Sequence, residues 1–430
     1  MPRFKIFYGW WIVGAGLVCL LLAGGIGFYT FGAFFIPLID EFGWSRAQLS
    51  LAITITCVLG LAAPLVGSWV DKYGVRIIMA VGALATGAAF ALLGLTQSLW
   101  YFYLMVFILA SGHFGILNIP VTKVVSNWFV KRRGLALGIT ITGFGLGGLF
   151  MLPLASQLIA TLDWRMAFHI LGIIIVVVLI PVIIFVIRER PQDKGLLPDG
   201  KSAEEQAKIP PTEEAQPGTS WTFSAALRAK TFWLIAGAFT LAYFATGAVI
   251  VHAIPFFQDM GASPQLAATM LATATGVSIL SRVAAGYIAD RISVKYVTLF
   301  AFFLQLMGLV ILLQVPAGST TVLWAFVVVF GLAMGSLFVL EPLVISEYFG
   351  VASFGAIYGG LWALEMPSWA LGPPLAGYIF DVTGSYNLAF IIFIGTTLLA
   401  MALIFLVKPA FRTSRKDFTK PSFGTDKFSL

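Results

Sequence analysis

Charge is what this chain has least of. Only 10% of its 430 residues are Asp, Glu, Lys or Arg, against 59% hydrophobic. A water-soluble fold of this size could not hide so much apolar surface, so the solvent implied is a lipid bilayer. Cysteine is nearly missing too: Cys19 and Cys57 both fall inside predicted helices and read as packing residues, which leaves no disulfide framework. Histidine occurs three times, at His113, His169 and His252, and no metal-ligand cluster or nucleophile–base constellation accompanies them. No enzyme, resident metal or cofactor is therefore expected. N-x-[ST] sequons are absent and the loops are short, which suits a bacterial inner membrane.

What is present is a series of long apolar runs. Twelve of them, at 8–38, 48–70, 76–96, 100–128, 133–160, 165–188, 229–258, 264–289, 295–316, 320–348, 353–380 and 385–408, are each long enough to cross a hydrocarbon core of about 30 Å as a helix. The first run extends far beyond a signal-peptide core and lacks a small-residue cleavage site, so it stays as a span. The net charge of +7 would suggest nucleic acid in a soluble protein. Here its placement decides otherwise. Lys72, Arg76, Lys131 to Arg133, the stretch from Arg188 to Lys230, Arg291, Lys295 and Lys408 onward all fall on one side, and only Arg46 and Arg165 on the other. That is the positive-inside pattern, with both termini cytoplasmic and no role for nucleic acid.

The polar interval 189–228, rich in Pro, Gly and charge, reads as a linker between residues 1–188 and 229–408, with 409–430 as a tail. Within it "SWTFSAALRAK" is expected to form a short helix lying on the inner membrane surface. The two flanking regions repeat each other at an offset of about 220 residues: "GSWVDKYGVRIIM" (67–79) answers "GYIADRISVKYVT" (286–298), "NWF" answers "EYF", and "WRMAF" answers "YNLAF". Such repeats imply two six-helix bundles around a central site near mid-membrane. "GSWVDKYGVR" fits, and "GYIADRISVK" nearly fits, the loop motif of the major facilitator superfamily, which the whole chain resembles. The fold expected is thus an all-α membrane protein with twelve transmembrane helices in two bundles.

The motif has a physical reading as a gate, formed by Gly67, Asp71 and Arg76 in one copy and Gly286, Asp290 and Arg291 in the other. Asp71 can cap the positive N-terminal end of the eleventh span near Ser353, and Asp290 that of the fifth span near Gly134. Either contact exists only while the cytoplasmic ends are together.

Arg282 is the one basic residue placed well inside the bilayer, about 12 Å along its helix from Asp290. A charge there costs about 2.5 kcal/mol or more, so it must be compensated. Thr275, Ser278, Arg282 and Gly286 form one small, polar stripe at helical spacing, suited to lining a wet cavity. A guanidinium offers a planar fork of donors for a carboxylate. Arg282 is read as the binding group for an anionic substrate, with a permanent ion pair to Glu341 or Glu365 as the alternative. His252 is a candidate for substrate contact or proton exchange. Glu365 and Glu341 are rival proton sites, since an isolated carboxylate in hydrocarbon takes up a proton. Tyr29 and Asn118 are expected to help line the cavity.

The run "NWFVKRRGLALGITITGFGLGG" (127–148) resembles the fifth-span signature of the monocarboxylate transporter family, and "YGWWIV" (8–13) is similar to that family's Gly-Trp opening. "SILSRVAAG" resembles the pattern around its substrate-binding arginine, which the resemblance carries over to Arg282. Animal members have an aspartate where Ser278 stands and a first-span lysine that this chain lacks, so their proton-coupling scheme does not transfer. "YGGLWALE" (358–365) is similar to the oxalate/formate antiporter branch, which has a lysine where Glu365 stands. One cation in the cavity favours a monocarboxylate over a dianion. The resemblance implies a monomeric carrier that takes a small monocarboxylate, such as L-lactate or pyruvate, together with a proton. Carboxylate exchange and a carboxylate sensor that does not transport remain as alternatives.

Overall fold

A computed structural model of the protein describes residues 7–44, 48–49, 55–56, 58–116, 118–200, 221–316 and 319–408. Cys57, the linker from 201 to 220 and the tail from 409 lie outside the described residues, as do the side chains of Tyr29 and Asn118. Among the described residues the regular structure is helical, without a β-strand.

The first helix, α1 (Tyr8–Gly24), runs on through a π-helical turn (Gly25–Tyr29) and a 3-10 turn (Thr30–Phe34) into α2 (Phe35–Phe42). Then come α3 (Ala63–Tyr73), α4 (Val75–Leu93), α5 (Leu99–Ile116), α6 (Asn118–Trp128), α7 (Arg133–Thr161) and α8 (Trp164–Pro181). The second half holds a short α9 (Phe223–Arg228), α10 (Lys230–Asp259), α11 (Pro264–Ala289), α12 (Val294–Leu313), α13 (Thr320–Phe349), α14 (Phe354–Thr383) and α15 (Asn387–Leu406). Local chemistry sets many of these limits. Asp163 caps α8 by accepting from the Met166 N–H, and Ser263 caps α11 from Leu266 with Pro264 in the first turn. Gly43 and Gly384 close α2 and α14 in the left-handed conformation that only glycine adopts freely.

Nine helices among the described residues are long and apolar enough to cross a membrane, against twelve apolar runs in the sequence. The difference lies in three runs. The second is described mainly by its end, α3. The fourth is described as α5 and α6, on either side of Leu117, which lies outside the described residues. The eleventh, α14, is 30 residues long but carries Glu365, Pro367, Pro373 and Pro374.

Lipid tails are as apolar as leucine, so helices in a bilayer associate through close packing at small residues. Gly143 and Gly147 of α7 lie against the backbone of Leu17 and Leu21 on α1, and Gly87 of α4 meets Gly172 of α8. In the second half Gly331 and Gly335 of α13 receive α11. Two crossings join the halves: α7 packs on α11, and α3 on α14. Both crossings position the site.

Candidate functional site

The two crossings are built alike. Gly67 of α3 faces Gly355 of α14, and Gly286 of α11 faces Gly134 of α7, so closely that a Cβ on any of the four would collide with backbone or carboxylate across the contact. Beside the first, the Asp71 carboxylate accepts the N–H of Gly355 at 3.2 Å and of Ala356 at 3.0 Å. Beside the second, Asp290 accepts the N–H of Gly134 at 2.6 Å and of Leu135 at 2.9 Å. Each carboxylate thus satisfies orphan donors at the start of a helix in the other half of the chain, where the helix dipole also favours negative charge. The remaining motif residues act within their own halves. Arg76 donates to the Ile184 carbonyl just beyond α8, and its repeat partner Lys295 donates to the Phe405 and Val407 carbonyls at the end of α15. Arg291 lies over the ring of Tyr287 on its own helix, 3.4 Å from the centroid. The contacts across the two crossings are made by the two aspartates and the glycines, while among the described residues Arg76 and Arg291 show no contact across them.

Arg282 sits one turn before Gly286 on α11. It is buried, and its guanidinium reaches out of the second half to donate from Nη1 to the Ile141 carbonyl of α7 at 2.9 Å. Its Cζ lies 5.2 Å from the centre of the Phe338 ring on α13, in cation–π range. Glycine makes the room: a Cβ on Gly145 would stand 3.1 Å from Nη1, and Gly138 faces the Arg282 carbonyl. The glycine-rich signature of α7 is thus the surface on which this arginine lies.

The two buried glutamates do not pair with Arg282. No salt bridge to either is found among the described residues. Instead Glu341 of α13 and Glu365 of α14 face each other in one buried cluster. Glu341 Oε2 accepts from the Tyr243 hydroxyl of α10 at 2.7 Å, and the Tyr358 hydroxyl and Trp362 indole of α14 are also neighbours. The Phe338 ring lies near both the cluster and Arg282, 5.7 Å from the ring of Tyr243 and 5.2 Å from Arg282 Cζ.

Two other expected cavity residues lie elsewhere. His252 links three helices away from Arg282: its Nε2 lies 2.9 Å from the Pro373 carbonyl of α14, which can only accept, and its Nδ1 lies 3.0 Å from the Tyr386 hydroxyl at the start of α15. The neutral tautomer with Nε2–H satisfies both contacts. The polar stripe expected on α11 is also divided. Ser278 is fully buried, its hydroxyl donates to the Thr275 carbonyl at 2.7 Å, and its carbonyl lies with the Ser281 hydroxyl against Gly335 of α13. Arg282 and Gly286 face α7 instead. The stripe is wide enough to serve two contacts, and its serines are used in packing rather than in lining a cavity. The side chains of Tyr29 and Asn118 lie outside the described residues.

Sequence reasoning missed Lys123. It is buried on α6, 2.9 Å from Asp71 and 3.6 Å from Glu189, and it donates to the Val70 carbonyl. Tyr243 was missed as well. The signal for Lys123 was present, a lone cation five residues before "WF" in an apolar run; for Tyr243, one aromatic among many, there was none.

Comparison with known proteins matches this arrangement to a family. The model of the Major Facilitator Superfamily matches residues 17–366 and 253–427. Monocarboxylate transporter 13 of Bos taurus is 27% identical over 418 residues, covering 96% of this chain and 92% of that protein. The oxalate:formate antiporter of Oxalobacter formigenes is 28% identical over 425 residues, covering 96% and 94%. Among solved structures, a crystal structure of the transporter FucP in the outward conformation superposes with a TM-score of 0.68 at 14% identity, over 93% of this chain and 99% of that one.

Proposed function

The chain belongs to the Major Facilitator Superfamily, a family of carriers rather than enzymes, and from that premise we propose that it is a proton-coupled symporter of a small monocarboxylate such as L-lactate or pyruvate. The observation that carries the reading is Arg282: a buried cation at the crossing of α7 and α11, whose guanidinium donates across the two halves to a backbone carbonyl. A main-chain carbonyl is a weak competitor for a guanidinium against a carboxylate, which takes two charge-assisted bonds in matched geometry. An arriving substrate draws Arg282 off Ile141. Because Arg282 is one turn from the Gly286–Gly134 crossing, that exchange loosens the contact between α7 and α11 at the point where the halves must part.

In this reading the chain crosses a bacterial inner membrane twelve times as a monomer, with residues 1–188 and 229–408 as the two moving bodies and both termini inside. The state described is closed at the cytoplasmic end. Opening inward breaks four N–H bonds to Asp71 and Asp290, and closing remakes them. Exchange of carboxylates is the second reading, favoured by the likeness to the oxalate:formate antiporter.

Uptake of radiolabelled L-lactate into proteoliposomes, with and without an inward proton gradient, tests both. A one-to-one symport of a monoanion accumulates substrate about tenfold per pH unit. Accumulation that follows the gradient and vanishes in Arg282→Ala supports the reading. Uptake that depends only on preloaded carboxylate establishes exchange instead, and undiminished uptake by the variant removes Arg282 from the site.

A further inference from the structure

The Glu341–Glu365 cluster is not explained by packing. Both side chains are buried, and among the described residues no cation pairs with either and three polar atoms in the cluster, Glu341 Oε1, Glu365 Oε1 and the Tyr358 hydroxyl, have no hydrogen-bond partner. Two carboxylates in contact in a low-dielectric interior repel strongly, and neither has a charge to offset it. A single added proton removes both defects. It cancels one negative charge, and it turns one carboxyl into a donor for the other, so that oxygens which were only acceptors become a donor–acceptor pair. The Tyr243 hydroxyl already donates to Glu341 Oε2, and the Tyr358 hydroxyl lies ready to donate to the oxygen that remains.

Among the described residues the elements around the cluster show no other group facing it that could take this proton. On α10 the only titratable group facing the cluster is Tyr243; on α14 they are Tyr358 and Glu365. From α12, Gln305 donates its amide to the Ala242 carbonyl beside Tyr243. Beyond Arg133, α7 has no titratable residue at all, and Asp71 of α3 is engaged at the N-terminus of α14, well before Glu365. On α11, Arg282 stands behind the Phe338 ring.

We propose that Glu341 and Glu365 form one unit that holds a single proton between their carboxyls, hydrogen-bonded by Tyr243 and Tyr358, and that this unit carries the proton of transport. The first statement stands on the cluster alone; the second rests on the symport reading. Coupling runs through Phe338. The ring lies 5.2 Å from the Arg282 guanidinium and 5.7 Å from the ring of Tyr243, whose hydroxyl is bonded to Glu341. When the proton leaves, a second negative charge appears across one ring from Arg282 and competes with the bound carboxylate for the guanidinium. When it returns, that competition ends and the anion is held more tightly at Arg282. Proton and anion thus favour each other, as linkage requires of a symporter.

Infrared difference spectra of the purified full-length protein, recorded between acid and alkaline pH without substrate, test the first statement. The expected result is a protonated-carboxyl band that disappears as pH rises, is abolished by Glu341→Gln and equally by Glu365→Gln, and shifts in frequency in Tyr358→Phe. Two bands, each removed by one variant only, or a band that ignores both, overturns the shared proton. Should glutamine at either position prevent folding, Tyr358→Phe keeps both carboxyls, and an unshifted band overturns the cluster. In proteoliposomes the ratio of gradient-driven L-lactate accumulation to L-lactate exchange is expected to fall to its gradient-free value in either glutamine variant. A ratio kept at the native value, or accumulation driven equally by sodium, refutes the coupling role. If the native protein accumulates no L-lactate under any proton gradient, the symport reading fails while the infrared result still decides the dyad.

Discussion

Neutralising Asp290 should open the end of the molecule that Asp71 and Asp290 now hold shut. The Asp290 carboxylate takes two backbone N–H groups across the crossing, at 2.6 and 2.9 Å. Hydrogen bonds to a charged group are worth about 1.5–3 kcal/mol each. Asn keeps one acceptor oxygen and loses the charge, and the position is partly solvated, so the expected loss is about 2 kcal/mol, including about 0.3–1 kcal/mol from the helix dipole. Only interactions that differ between the two states move their balance. These bonds do, because they span the two halves, and about 2 kcal/mol shifts the ratio of open to closed roughly thirtyfold. Asp71→Asn should act similarly through Gly355 and Ala356. Its bond to Lys123 lies within the first half and is present in either state. Lys123→Met is therefore expected to lower stability without moving the equilibrium. Spin labels at exposed Tyr73 and Ile292, in a background with Cys19 and Cys57 replaced, report the separation of the two halves at this end. A longer-distance population in both Asn variants, and none in Lys123→Met, is the expected pattern. An unchanged distribution in Asp290→Asn refutes the gate.

Three further outcomes follow from the same contacts. Gly286→Val places a side chain into the Gly134 backbone, so the crossing cannot close; the labelled protein should show the open separation, and L-lactate accumulation should be lost while the fold is retained by circular dichroism. Arg282→Lys keeps the charge but replaces a planar fork with a point charge, and isothermal titration should show L-lactate binding weakened by more than about tenfold, consistent with the loss of one charge-assisted bond. His252→Gln disturbs the bridge among α10, α14 and α15, which should lower stability by about 1–2 kcal/mol in thermal unfolding while leaving the ratio of gradient-driven accumulation to exchange unaffected.

The parts of this molecule legible in its sequence are those whose chemistry is local or repeated. A bilayer demands apolar runs, so the spans can be read by length. The capping contacts of Asp71 and Asp290 could be found because two copies of one motif put an acid one turn after a glycine, at the end of a helix where a neighbouring N-terminus must be met. Arg282 stood out because a cation in an apolar helix has few excuses. Its neighbours were not legible in the same way. Helical period correctly put Ser278 and Arg282 on adjoining positions of α11, but which of them faces α7 and which faces α13 is decided by glycines on those other helices, Gly138 and Gly145 for the one and Gly331 and Gly335 for the other.

The buried acids make the same point more sharply. Glu341 and Glu365 each suggested a proton site when taken alone, and each invited pairing with the nearest available cation. Their actual relation is to one another, in a cluster that α13 and α14 form with Tyr243 of α10. That arrangement leaves Arg282 without an ion pair to either glutamate, while its guanidinium meets the Ile141 carbonyl and the Phe338 ring. A carrier needs both conditions at once. An arginine already neutralised by a glutamate would have no use for an anion, and a glutamate already neutralised by an arginine would have no use for a proton. In the proposed symport, a guanidinium and a carboxyl pair that both lie near Phe338 without pairing with each other can each take its own ligand and still respond to the other.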